Sequence, residues 1–179
     1  KEGAILETPN FFIESYKLNH SLVCLGFALQ EKDRLKIDMK KAKKVGLFEG
    51  PIMAEIASGK NVKINGRTVK AKDVTYKVKG RKISYVADTR PCIGARKLAK
   101  KSDVLIIEST YLSSDKKHAI KYDHMTAKES GQLAAKAKVG KVYLTHPSLR
   151  YKDVSVLVKE AKKYHKQVCF AKDFMEIEL

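Results

Sequence analysis

The sequence predicts an α/β fold in which helices are layered on a sheet, and three observations carry that prediction. From Lys82 onward, apolar strand-like runs alternate with amphipathic helical runs, the pattern of β-α-β units. The first 29 residues are rich in aromatic and β-branched side chains, as strands are. Between them, from Gln30 to about Gly80, the composition turns abruptly basic, which marks an appendage to the main layer.

Taken in order, FFIESYKL and SLVCLGFAL read as two strands with Asn19 and His20 at their junction, where a side chain can face a site. EKDRLKIDMKKAKKVGLFEG reads as a basic helical stretch with a loose apolar stripe of Leu35, Ile37, Met39, Ala42 and Val45. Gly50-Pro51 opens a second short helix, PIMAEIAS, with Pro51 in the first turn and Gly59 at the C-terminal cap. NVKINGRTVKAKDVTYKVKG reads as short basic strands, Asn65-Gly66 being a hairpin turn. The remainder runs strand KISYVAD, helix IGARKLAK, strand DVLIIES, a polar loop, helix AKESGQLAAKAK, strand KVYLTH, helix DVSVLVKEAKKYH and strand QVCFAKDF. Thr126 and Glu129 form a T-x-x-E capping box, which holds His124 just ahead of a helix N-terminus.

A net charge of +17, from 37 Lys and Arg against 20 Asp and Glu, points first to a polyanionic partner, RNA or DNA, because each phosphate neutralised releases counterions. Charged networks on a heat-resistant surface are the competing explanation. No stretch approaches the roughly 20 apolar residues of a membrane span, and no basic-then-apolar leader opens the chain, so a soluble protein with a trimmed start at Lys1 is expected. Cys24, Cys92 and Cys169 are odd in number and far apart, which argues against a disulfide framework and for a reducing cytoplasm.

Four points place an acid or a histidine directly after an apolar run or before a cap: VADTRPC, IIESTY, YDHMTA and YLTHPSLRY. Asp88, Glu108 and His146 each follow such a run, and three parallel strands would bring them to one sheet edge. Aspartate and histidine are zinc ligands, and a bridging carboxylate suits two-metal phosphodiester chemistry. Any one of these signals is weak, since Asp and His at strand ends are common turn-formers. His118 and His165 lack such placement and read as solvated surface, and Cys92 reads as a small packed side chain.

Together, His20 before C-L-G-F, A-D-T-R-P-C, E-S-T, H-M-T and L-T-H-P-S-L-R-Y resemble, in order and spacing, the ribonuclease Z family of the metallo-β-lactamase fold, across essentially the whole chain. The resemblance implies the C-terminal half of an αββα sandwich spanning residues 1–179, with residues 30–80 as a protruding basic exosite arm. It implies two zinc ions per complete active site, cleavage of precursor tRNA after the discriminator nucleotide, and a homodimer in which one subunit's arm holds tRNA for the other. By position, His20 and His146 resemble the family's histidine ligands, Asp88 its bridging carboxylate, and Glu108 with His124 its proton-transfer pair. Where the family has H-E-A-T and H-S-T, this sequence has Ile107-Glu108-Ser109-Thr110 and His124-Met125-Thr126, with both ionisable residues kept. Gly50-Pro51 sits where the family arm has its Gly-Pro element, and Lys40, Lys41, Lys43 and Lys44 supply charge for RNA phosphates.

The family's H-x-H-x-D-H motif, which supplies further ligands, occurs nowhere in these residues. Three ligands cannot close two zinc sites, so these 179 residues alone are expected to be inactive, and half a sandwich is expected to expose apolar sheet surface. The rival expectations are another hydrolase or nuclease of the same fold, which has no use for the arm, and a non-catalytic RNA-binding protein.

Overall fold

The computed structural model describes residues 2–178 and divides into two compact units, one made of residues up to Glu31 and from Arg81 onward, the other of Lys32–Gly80. In chain order the elements are β1 (Gly3–Glu7), β2 (Phe11–Lys17), β3 (Leu25–Glu31), then β4 (Arg34–Ile37), α1 (Met39–Lys44), α2 (Pro51–Ala57), β5 (Val62–Ile64), β6 (Arg67–Val69), α3 (Ala71–Val74) and β7 (Thr75–Val78). There follow β8 (Lys82–Val86), α4 (Ile93–Ala99), β9 (Val104–Glu108), α5 (Lys116–Lys121), α6 (Ala127–Ala137), β10 (Lys141–Thr145), α7 (Ser155–Lys162) and β11 (Val168–Phe170).

The larger unit is a mixed α/β layer around one seven-stranded sheet of order β1-β2-β3-β8-β9-β10-β11. Strands β1, β2, β3 and β8 pair antiparallel, and β8, β9, β10 and β11 pair parallel. Helices α4, α6 and α7 supply the crossovers of the parallel half, and the core lies between them and the sheet, with Val86, Leu98, Leu105, Ile107, Leu144 and Leu157 fully buried. Glycine permits the closest approach: a Cβ on Gly94 would lie 2.1 Å from the Lys17 carbonyl oxygen, and one on Gly131 2.7 Å from that of Ala161. The opposite sheet face carries Leu25, Phe27, Leu29 and Tyr85, each more than a third exposed, with Phe27 directly opposite Tyr85.

In the smaller unit β4 pairs with β7, and β5 with β6 across an Asn65-Gly66 turn in which both residues have positive φ, as a two-residue hairpin requires. Pro51 occupies the first turn of α2 and Gly59, at φ +90°, follows its end. A separate core of Ala42, Leu47, Ile56, Val62, Val69, Ala71 and Val74 holds this unit together.

Several sequence expectations differ from the structure: β3 begins only at Leu25 within SLVCLGFAL, and α3 (Ala71–Val74) is a helical turn within a segment read as short strands. Residues 34–37 form a strand, because Arg34-Leu35-Lys36-Ile37 alternates with period two and pairs with β7, and the helix starts only after Asp38, whose carboxylate caps it. The loop between β9 and α6 contains α5, on which His118 is exposed and stacks against Tyr111 and Tyr122. His165 is not solvated surface: it is half-buried and its Nε2 lies 2.9 Å from the Val139 carbonyl oxygen, anchoring the end of α7. The side chain of Cys92 is packed as expected, its Sγ accepting from the Ala95 amide at the start of α4.

Candidate functional site

Parallel pairing aligns Val86 with Ile107, Ile107 with Leu144, and Glu108 with Thr145, so β8, β9 and β10 end together. The residues that follow emerge at one edge, where open α/β sheets hold their ligands. Asp88 (φ 53°) and His146 (φ 56°) both sit in the left-handed region, which swings them out of their strands and towards each other. Asp and His tolerate that region better than most residues, and two such turns at one edge persist only where the surroundings hold them.

Asp88 Oδ1 lies 3.1 Å from His146 Nε2, and both side chains are about half exposed. His146 Nδ1 is 3.1 Å from Thr110 Oγ1, whose own hydroxyl proton goes to Glu108 Oε2 at 2.7 Å. With that proton committed, Thr110 accepts from His146 Nδ1–H, and the tautomer so fixed turns a lone pair on Nε2 towards the Asp88 carboxylate. Two acceptors at that distance need a proton or a cation between them. The donor chemistry therefore fits a metal ion, and the imidazole is held at its other nitrogen as metal-ligating histidines are.

Glu108 is completely buried at the end of β9. Its carboxyl accepts from the Thr89 and Met125 amides as well as from Thr110, and lies 3.2 Å from His124 Nδ1. The hydrogen bond to Glu108 raises the His124 pKa above its ordinary value, aided by the charges of Glu108, Asp88 and Asp123 and opposed by partial burial. His124 follows Asp123, another left-handed residue, and precedes the Thr126–Glu129 capping box, both halves of which are formed. Its ring lies 5.1 Å from that of His146 and 5.3 Å from that of His20, centroid to centroid.

Asp88, His124 and His146 each offer a ligand atom within 4.8 Å of the others. His20 edges this group: its ring packs against that of His124, and its Nδ1 lies 3.3 Å from the Leu22 amide that donates to it. Sequence reasoning missed three contributors, Thr89, Arg90 and Thr110, although all lie inside motifs it had singled out. Thr89 and Arg90 directly follow Asp88, and Thr110 completes the E-S-T run.

In the smaller unit Lys40, Lys41, Lys43 and Lys44 are all exposed on α1, and Gly50 and Pro51 are exposed at the start of α2. Lys41 and Lys44 share a cleft with Arg67 and Lys70 from the β5–β6 hairpin and its exit, with Asp73 the sole acid among the described residues that line it. That concentration of cations has the character of an anion-binding surface.

Compared with solved structures, the chain carries part of a metallo-β-lactamase fold. It superposes on YhfI of Bacillus subtilis, a metallo-β-lactamase fold protein, with a TM-score of 0.59 at 19% identity, covering 93% of this chain and 49% of that one. Against the short form of human tRNase Z the TM-score is 0.58 at 20% identity, covering 98% and 46%. In sequence the chain is similar to curated proteins named ribonuclease Z. It is 38% identical over 174 residues to the protein of that name from Chlamydia abortus, covering 97% of this chain and 56% of the relative. It is 36% identical over 183 residues to that from Archaeoglobus fulgidus, covering 100% and 60%. The chain thus spans less than two thirds of the length of the curated relatives it matches. No protein-family model matches it.

Proposed function

We propose that these residues are the acid/base and partial metal-binding portion of a ribonuclease Z, a zinc-dependent endoribonuclease that removes the 3′ trailer of precursor tRNA. The observation that carries the reading is the buried Glu108 holding His124 beside the Asp88–His146 pair at the ends of three parallel strands. On the ribonuclease Z assignment, His20, Asp88 and His146 hold zinc, and H-x-H-x-D-H ligands complete the site. Zinc bound there supplies Lewis-acid stabilisation to the phosphoryl oxygens.

The residues of this chain do the rest. Glu108 orients the His124 imidazole and favours its protonated form, which donates to the oxygen leaving phosphorus. Thr110 fixes the His146 tautomer, and the left-handed turns at Asp88 and His146 set the spacing of the two side chains. The exposed lysines of α1, with Gly50-Pro51, act as an exosite for tRNA phosphates. The same reading carries a homodimer in the cytoplasm, with the arm of each subunit serving its partner. No helix among the described residues is long and apolar enough to cross a membrane.

One observation favours a variant of this reading. His124 is among the three residues whose donor atoms cluster within 4.8 Å, and a carboxylate behind an imidazole is also how metal-bound histidines are held. His124 would then be a ligand and not the proton donor.

The test is cleavage of a precursor tRNA by the complete zinc-loaded gene product, with product ends mapped, beside Asp88→Ala. Cutting after the discriminator that disappears in the variant supports the proposal. Intact RNA, or cutting unaffected by the substitution, refutes it.

A further inference from the structure

Arg90 lies two residues beyond Asp88 in a strongly basic chain, and the structure commits its side chain inward. Its side chain is only 15% exposed. Its guanidinium binds both carboxylate oxygens of Glu129, at 2.9 and 2.6 Å, and the same nitrogen that makes the longer bond also donates to the backbone carbonyl of His124. Glu129 is fixed in turn by the Thr126 amide and hydroxyl at the start of α6. The Arg90 amide donates to the Asn19 carbonyl at 2.8 Å, next to His20, and the preceding amide, that of Thr89, donates to Glu108.

One residue therefore ties together the segments that carry His20, Asp88 and His124, and it does so through their backbone and the Glu129 cap, not through their imidazole or carboxylate groups. We propose that Arg90 is a positioning residue, which fixes the His124 loop against Glu108 by holding the His124 carbonyl and the Glu129 cap at one spacing from the Asp88 turn. The fork geometry is what the role requires: a planar guanidinium spans a carboxylate and a third acceptor at once, whereas an ammonium is a point donor that cannot hold the same three directions. The inference rests on the proposed reading for its kinetic consequence and on the structure alone for its effect on His124.

The experiment uses the complete gene product, with the metal ligands that these 179 residues lack, and compares its unmodified form with Arg90→Lys, Arg90→Ala and Glu129→Gln. Three quantities are read: the His124 ring N–H resonances by 1H–15N NMR, the thermal midpoint, and kcat and KM for precursor tRNA in the zinc-loaded protein. Arg90→Lys preserves the ion pair with Glu129 and is expected to fold with a midpoint near that of the unmodified protein. It should nevertheless broaden or lose the Nδ1–H signal held by Glu108 and lower kcat at least about tenfold, with KM changed less than about twofold, as a misplaced acid does. Arg90→Ala should show the same kinetic split more strongly, and Glu129→Gln a weaker form of it. Full rescue of both signal and kcat by lysine overturns the proposal, because packing and charge alone would then suffice. A rise in KM with a fall of about one in the salt slope of RNA binding also overturns it, marking Arg90 as a phosphate-binding residue. Should the unmodified protein cleave nothing, the functional reading fails while the ring signals still decide the positioning role.

Discussion

Replacing Glu108 by glutamine tests the buried hub of the site. The side chain has no exposed surface, and its two oxygens accept from two backbone amides, Thr89 N–H at Oε1 and Met125 N–H at Oε2, from the Thr110 hydroxyl, and face His124 Nδ1. Glutamine is nearly isosteric but has one acceptor oxygen, so in either orientation its NH2 faces a buried amide donor. Leaving that donor unsatisfied costs about 1–3 kcal/mol, and the lost hydrogen bond to His124 adds about 1 kcal/mol, so Glu108→Gln should destabilise by roughly 2–4 kcal/mol. Urea unfolding of the metal-free protein measures it. Glu108 also raises the His124 pKa in the folded state, so its contribution is fully present below the unfolded value of about 6.5 and is lost as pH rises through the higher folded value. That pH dependence should flatten in the variant. A loss below about 0.5 kcal/mol with the pH profile unchanged would refute the argument that Glu108 is a saturated acceptor.

Further expectations follow from other parts of the chain. Gly131→Ala places a methyl 2.7 Å from the Ala161 carbonyl oxygen, a backbone atom that cannot rotate away, and should cost about 1–3 kcal/mol by thermal denaturation through the α6–α7 packing. Burial pushes the Glu129 carboxyl up, but the Arg90 and Thr126 hydrogen bonds outweigh it and hold it below the usual range. Its contribution is therefore present above the unfolded value and lost as pH falls through the folded one, and Glu129→Gln should remove that acid-side loss in unfolding measured from about pH 6 to 3. Calorimetric zinc binding should weaken at least about tenfold in Asp88→Ala and His146→Ala. Retained affinity in His124→Ala supports the proton-donor role, and an equal loss the ligand role. Replacing Lys40, Lys41, Lys43 and Lys44 by alanine should weaken tRNA binding uniformly and reduce the slope of log affinity against log salt by about 0.7–0.9 for each phosphate no longer neutralised.

The parallel half of the fold was legible because each strand there is a short apolar run closed by a polar residue, and because Thr126 and Glu129 announce the start of α6. The same periodicity located Asp88, Glu108 and His146 at strand ends. What it left out was set by tertiary pairing. Arg34–Ile37 lies among lysines that favour helix as readily as strand, and only β7, far along the chain, decides the matter. His165 ends an amphipathic helix and carries no local sign that the Val139 carbonyl will meet it. Thr110 and Arg90 were visible as motif letters, but their roles depend on which acceptors the folded loops bring to them. The left-handed backbones at Asp88 and His146 likewise have no glycine to mark them.

The most direct measurement is precursor tRNA cleavage by these 179 residues alone and by the same residues joined to a segment that supplies the H-x-H-x-D-H ligands, both loaded with zinc. Cleavage after the discriminator by the joined form only is the expected result, since Asp88, His146 and His20 cannot by themselves close two metal sites. Equal cleavage by the 179 residues alone would contradict the division of the site, and no cleavage by either would contradict the endonuclease itself.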